Sequence, residues 1–297
     1  MSPGLKTWLL AARLRTLPAA IAPVALGSAF AAREMHFKLV PALLCAAFAL
    51  LAQIGANFAN DYFDFRQGAD TANRLGPKRA VASGLVKPAA MLRATLLALA
   101  LAAVAGSCLI FYGGWWLVLI GAASLLGALA YSGGPFPLAY HGLGEVCAIV
   151  FFGFVAVLGT FLVQAGLPTA PAPWLAALGC GLLAANILLV NNIRDLNTDK
   201  GAGKRTLAVR VGRPWAQRFY AANLIVVVAI TLMFFLVDWN LWLVPALASA
   251  VPLGAFFIRV LRAIPEGDGP RFNHLLAQSA QFMALWALLM SLGIALE

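Results

Sequence analysis

Nine predominantly apolar stretches, each near the length of a bilayer-crossing helix, limit what this chain can fold into more than any other feature. A hydrocarbon core of about 30 Å takes about 20 apolar residues per helix. The stretches lie at roughly 17–33, 39–60, 90–112, 114–132, 143–165, 173–192, 217–237, 240–261 and 274–295. Lipid offers no hydrogen-bond partners, so segments of this kind satisfy their backbone as helices. Composition excludes the water-soluble alternative, because 62% of residues are hydrophobic, 11% are charged and the mean hydropathy is +0.88. The expected class is all-α integral membrane, with residues 1–297 as a single domain. The first stretch has eight successors and no small-residue cleavage site, so it is read as a retained helix and not a signal peptide. The four cysteines, Cys45, Cys108, Cys147 and Cys180, fall within the spans and form no Cys-x-x-Cys pair, which indicates neither zinc nor a disulfide framework.

Charge supplies an orientation. Counting residues just inside the span ends (Arg93, Arg218 and Arg259), three basic residues precede the first span, six belong to the loop between the second and third, seven to that between the sixth and seventh and three to that between the eighth and ninth. With the N-terminus inside, nineteen of the twenty-one Lys and Arg residues face the cytoplasm, as the positive-inside rule requires. The expected location is the inner, cytoplasmic membrane, with the site at its cytoplasmic face. Topology accounts for much of the +10 net charge, and a basic face also suits anionic lipid headgroups or a phosphate-bearing substrate. No nucleic-acid partner is expected.

The carboxylates are more informative because there are only eleven. Asp61, Asp64 and Asp70 follow the second span, while Asp195 and Asp199 follow the sixth. Asn60-Asp61-x-x-Asp64 continues the second helix, which places Asn57, Asp61 and Asp64 on one face, one turn beyond Gln53. Asn192, Asp195 and Asp199 share a face in the same way. Like charges at this spacing repel, and each helix C-terminus already presents partial negative charge worth about 0.3–1 kcal/mol per site. A hard divalent cation relieves both penalties. Mg²⁺ takes oxygen ligands, and one or two carboxylates commonly hold it together with substrate phosphates.

A basic run follows each acidic cluster. Lys78-Arg79 and Lys204-Arg205 sit in glycine-containing segments 126 residues apart, an offset of four helices. This pattern suggests a degenerate parallel four-helix repeat, helices 1–4 and 5–8 with helix 9 added, whose two Asp-rich ends face each other across a central cavity. Five aspartates nearly balance two Mg²⁺, and the four basic side chains then suit a diphosphate. Neither segment has the Walker spacing G-x-x-x-x-G-K-[ST], which excludes a nucleotide P-loop.

Asn60-Asp61-x-x-Asp64 paired with Asp195-x-x-x-Asp199 resembles the two motifs of the UbiA superfamily of intramembrane aromatic prenyltransferases. Asn60-Asp61-Tyr62-Phe63-Asp64, Arg74-Leu75-Gly76-Pro77, Asn191-Asn192-Ile193-Arg194-Asp195 and Ala202 through Val209 are similar to its menaquinone branch, the 1,4-dihydroxy-2-naphthoate polyprenyltransferases. Arg13-Leu14-Arg15-Thr16-Leu17-Pro18, Tyr131-Ser132-Gly133-Gly134-Pro135 and Gly142-Leu143-Gly144-Glu145 fit the same branch, and the likeness spans roughly residues 7 to 212. The fullest first motif has a third Asp where this chain has Gly68, with Asp70 two residues later. The 4-hydroxybenzoate branch has a Lys where this chain has Pro135, which favours the naphthoate acceptor.

The resemblance implies that Asn60, Asp61, Asp64, Asp195 and Asp199 hold Mg²⁺, with the four aspartates among them catalytic. Lys78, Arg79, Lys204 and Arg205 would grip the diphosphate of a polyprenyl donor, and Asn57, Tyr131 and Tyr140 would line the acceptor or prenyl pocket. The implied reaction joins the prenyl group to the carboxylate-bearing carbon of dihydroxynaphthoate with loss of CO₂, giving a demethylmenaquinol within the bilayer. His141 and Glu145 have structural explanations at least as good as catalytic ones. Two other readings compete: a prenyltransferase for another aromatic acceptor such as 4-hydroxybenzoate, and a membrane cation transporter. The second calls for carboxylates near the bilayer midplane, whereas the motif aspartates gather at one face.

Overall fold

A computed structural model describes residues 4–70, 74–238 and 240–297, and among them every regular element is helical. In chain order they are α1 Leu5–Ala12, α2 Pro18–Arg33, α3 Leu39–Arg66, α4 Pro88–Cys108, α5 Ile110–Gly113, α6 Leu117–Ala130 and α7 Gly144–Ala148. A π-helical stretch, Ile149–Leu158, leads into α8 Gly159–Ala165. Then come α9 Ala172–Arg194, α10 Leu196–Gly201, α11 Leu207–Val211, α12 Arg213–Asp238, α13 Val244–Ala263 and α14 Gly269–Ala295.

Seven of these segments are long and apolar enough to cross a membrane, and an eighth is the bent pair Leu5–Thr16 and Pro18–Arg33. The bend of 47° has a local cause. Arg13 takes a left-handed conformation (φ 54°) and ends α1 by donating its N–H to Leu10 O. Pro18, with no N–H to leave unpaired, then starts α2. The stretch expected to span at 114–132 is shorter than the sequence suggested. Its helix, α6, has 14 residues and is about 21 Å long at 1.5 Å per residue. Gly114 precedes it with a positive φ, and Gly133, Gly134 and Pro135 follow it.

The core is built around α9, whose most apolar window is 78% buried, against 22% for α3. The π-helical stretch crosses α9 with the two backbones touching. A Cβ on Gly153 would lie 2.5 Å from Ala177 O, and one on Gly181 would lie 2.8 Å from Ile149 O. Only glycine permits that approach, the small-residue packing that membrane helices use where lipid supplies no hydrophobic drive. On the other side, α12 and α14 pack against α9, and α14 also packs against α2. The buried Trp286 of α14 satisfies its indole N–H on Thr231 Oγ1 of α12 at 2.9 Å. Against this half, α3 and α4 pair with each other and, with α6, leave a space between the halves.

That space positions the site. At 28 residues α3 is about 42 Å long, more than a hydrocarbon core requires, so its last turns carry polar side chains past the apolar part of the bundle.

Candidate functional site

A cavity of about 780 Å³ runs along one face of α3. Cys45, Ala49, Ala52, Ala56, Asn60 and Asp64 line it at helical spacing, a length of roughly 28 Å at 1.5 Å per residue. At the far end lies an apolar cluster that includes Cys45, Leu109, Leu117, Leu162 and Val163. Phe48, Ile120, Phe151 and Val155 line its middle, and the charges gather where α3 ends.

Asp61 is 2% exposed, and both of its carboxylate oxygens accept main-chain hydrogen bonds, from Ala80 N at 2.9 Å and from Val81 N at 3.0 Å. It therefore holds the segment that carries Lys78 and Arg79 against α3. Asp64, also 2% exposed, accepts from Arg79 Nη2 at 2.9 Å and from the Tyr140 hydroxyl at 3.1 Å, with Lys204 Nζ 3.8 Å away. Lys204 also lies over the Tyr140 ring, 5.0 Å from its centroid. Asp70 accepts from Arg74 at 2.6 Å and faces Arg79 Nε at 3.5 Å. The second tip is organised by Arg194, whose Nε and Nη2 grip Asp195 at 2.8 and 2.5 Å while Nη2 also reaches Asn191 at 2.7 Å.

Of the predicted residues, Asn57, Asn60, Asp61, Asp64, Lys78, Arg79, Tyr131 and Lys204 line the cavity. Tyr140, Asp195, Asp199 and Arg205 stand outside its wall. Tyr140 still touches the site through Asp64, whereas the Arg205 side chain is exposed and only its main chain engages, by a 3.1 Å bond to Tyr140 O. Asn60, Asp61, Asp64 and Asp195, four of the five expected metal ligands, take partners within the protein. Asn60 Oδ1 accepts from the Ser132 hydroxyl, Asn57 donates to Ala12 O, Asp61 binds backbone and Asp195 binds its neighbour. Among the described residues, no group of three or more His, Cys, Asp or Glu side chains is placed to hold a metal ion. Asp61, Asp64 and Asp195 are each compensated electrostatically by nearby chain cations or N–H groups.

Unsatisfied groups remain at this end. Arg13 Nη2, Arg79 Nη1, Asp70 Oδ2 and Glu145 Oε2 are buried without a hydrogen-bond partner among the described residues. The two guanidinium groups line the cavity and fit an anion. The hard oxygens of Asp64 and Asp70 fit a small divalent cation that takes its remaining ligands from the anion. Burial raises the Asp70 carboxyl to about 6 against the pull of Arg74, and Asp64 and Asp61 add to the rise. It raises Asp199 to about 7, with Asp195 and Asp64 adding to the rise and Lys204 opposing it. The Tyr140 phenol is pushed upward by burial and by the Asp64 charge.

Sequence reasoning assigned no role to three groups that shape this end. Arg194 lay inside the second motif, and Arg13 was counted toward the topological charge and quoted for the resemblance without a role of its own. Asn273, on the first turns of α14, accepts from Arg194 Nη1 at 2.6 Å and lies beyond both motifs. Its one sequence signal is an amide in the polar first turns of a helix that is mostly apolar beyond them.

Comparison with known proteins gives a consistent result. The model of the UbiA prenyltransferase family matches residues 20–294. A Mycobacterium tuberculosis protein named 1,4-dihydroxy-2-naphthoate octaprenyltransferase is 40% identical over 285 residues, covering 95% of this chain and 94% of the relative. An Escherichia coli protein of the same name is 39% identical over 227 residues, 74% of this chain and 73% of the relative. A UbiA homolog from Archaeoglobus fulgidus bound to GPP and Mg²⁺ shares the fold, with a TM-score of 0.64, 16% identity, and coverage of 96% of this chain and 99% of that one.

Proposed function

The chain belongs to the UbiA prenyltransferase family, and from that premise we propose that it transfers a polyprenyl group from polyprenyl diphosphate to 1,4-dihydroxy-2-naphthoate. Diphosphate and CO₂ leave, and the product is a demethylmenaquinol of menaquinone biosynthesis. The observation that carries this reading is the cavity itself, roughly 28 Å long, charged at the end where α3 finishes and apolar along the rest. Such a shape suits a diphosphate with a long hydrocarbon tail. Relatives 37–40% identical carry the name of this activity.

The residues divide the work by chemistry. Arg79, Lys78 and Lys204, with Arg13 beside them, bind the diphosphate and stabilise the negative charge that grows on it as the allylic C–O bond breaks. Asp64 and its neighbouring carboxylates would hold Mg²⁺, which when bound would supply further charge neutralisation to the leaving group. The electron pair departs with the diphosphate and an allylic cation remains. Phe151, Phe152 and Tyr131 line the cavity beyond the charged end, where they exclude water and present aromatic faces to that cation. The electron-rich ring attacks from its carboxylate-bearing carbon. Loss of CO₂ then returns the electron pair to the ring, so the carboxylate is the leaving group and no side chain has to take a ring proton.

The finer architecture belongs to the same proposal. Nine spans, with α6 as the short one, form two related four-helix halves and an added α14, in one domain. The N-terminus and the charged end of the cavity face the cytoplasm, because nineteen of twenty-one basic residues then lie on that side of the inner membrane. Reconstitution into liposomes tests the activity. Inorganic diphosphate should be released from polyprenyl diphosphate when dihydroxynaphthoate and Mg²⁺ are present, and no release under those conditions would refute the proposal.

A further inference from the structure

Three distant segments meet on the guanidinium of Arg194. Its Nη1 donates to Asn273 Oδ1 at 2.6 Å, while Nε and Nη2 hold Asp195. The amide of Asn273 then donates from Nδ2 to Leu75 O at 3.3 Å. The backbones are closely fitted around these bonds. A Cβ on Gly269 would lie 2.5 Å from Leu75 O, and one on Gly76 would lie 2.6 Å from Arg194 Nη2. Two and three residues beyond Gly76 come Lys78 and Arg79, and Arg79 holds Asp64. A continuous path thus joins Asp195, Arg194, Asn273, Leu75, Arg79 and Asp64, with Asn273 as the member contributed by α14.

We propose that Asn273 is a positioning residue for the diphosphate end of the cavity: its amide fastens the segment leading into Lys78 and Arg79 to the Arg194–Asp195 pair at the end of α9. The chemistry of a primary amide is what the position requires. It must accept from a cation and donate to a carbonyl at once, and Asn does both without adding charge. The inference rests on the prenyl-transfer reading, because the substrate placed by this linkage is the prenyl diphosphate. A loosened segment carries Lys78 and Arg79 away from the diphosphate and leaves the aromatic acceptor's pocket as it was.

The test is steady-state kinetics of the full-length protein in liposomes with Mg²⁺, measuring KM separately for polyprenyl diphosphate and dihydroxynaphthoate. Asn273→Ala should raise the donor KM about tenfold, the loss of a hydrogen bond to a charged group, with the acceptor KM unchanged. Asn273→Asp keeps the acceptor for Arg194 but loses the donor to Leu75 that fastens the segment, so its donor KM should rise as in the alanine variant. An unchanged donor KM, or equal rises in both KM values, would overturn the proposal. Should the alanine variant not fold, the same split in Asn273→Asp decides. A wild type that consumes no donor counts against the prenyl-transfer reading instead. The thermal shift produced by Mg²⁺ with inorganic diphosphate then still tests Asn273: a wild-type shift that Asn273→Ala loses supports the linkage, and equal shifts overturn it.

Discussion

Arg79 and Asp64, fifteen residues apart in the chain and both less than a tenth exposed, are joined by a 2.9 Å bond between Nη2 and Oδ2. The pair fastens the first basic segment to the end of α3 at the cavity's charged end. Removing one partner of a buried ion pair leaves the other uncompensated, which destabilises by about 3–5 kcal/mol. Asp64→Ala is therefore expected to abolish prenyl transfer and to lower the unfolding temperature in detergent, while membrane insertion persists. Near-normal turnover in that variant would remove Asp64 from the chemistry.

Asp61 is expected to behave differently, because both of its oxygens are taken by main-chain N–H groups of Ala80 and Val81. Asp61→Ala forfeits two charge-assisted hydrogen bonds, each worth about 1.5–3 kcal/mol. Asp61→Asn keeps one acceptor and should recover part of the loss. Thermal unfolding of the three proteins orders them wild type, Asn, Ala. If the two variants unfolded at the wild-type temperature, the role of Asp61 as an anchor for this segment would be wrong.

Much of this site was legible because acids are rare in an apolar chain, so two Asp-rich helix ends stood out against their surroundings. The helical face of Asn57, Asp61 and Asp64 followed from spacing alone, and Lys78, Arg79 and Lys204 line the cavity as basic runs beside those acids. Spacing fixes a face and leaves open which partner a side chain chooses. For that reason it did not reveal that Asp195 turns to the adjacent Arg194, or that Arg205 points to solvent. Asn273 was illegible for a related reason, since its two partners lie 79 and 198 residues away. The span expected at 114–132 shortens to the α6 of 117–130 chiefly because Gly114, at positive φ, and the turn at 115–116 delay its start, which hydropathy does not register.

The carboxyls of Asp70 and Asp199 predict a pH dependence. Unfolded, both ionise near 4; folded, Asp70 holds its proton to about 6 and Asp199 to about 7. Between those values the folded protein binds more protons than the unfolded chain, so stability falls as pH rises from about 4 to about 7. In EDTA the unfolding temperature should drop across that interval, and less so in Asp199→Asn. Mg²⁺ competes with the protons and should therefore stabilise more at pH 8 than at pH 5. A flat profile in EDTA would show that these groups titrate normally.

The crossing of the π-helical stretch over α9 makes Gly153 intolerant of any side chain. A Cβ there would meet Ala177 O at 2.5 Å, and a backbone atom inside a packed helix does not move aside easily. Gly153→Ala is expected to cost about 1–3 kcal/mol, the range for overpacking, read as a lower unfolding temperature. By contrast, Gly159→Ala at the start of α8 meets nothing within 4 Å and should leave the unfolding temperature unchanged.

The most direct test of prenyl transfer to a naphthoate is a competition. Purified protein is given polyprenyl diphosphate, Mg²⁺ and equal amounts of 1,4-dihydroxy-2-naphthoate and 4-hydroxybenzoate, and the products are identified by mass spectrometry. The predicted result is a prenylated naphthalene diol, or its quinone, that has lost the mass of CO₂. A product that retains its carboxyl group, or one made chiefly from 4-hydroxybenzoate, would contradict it.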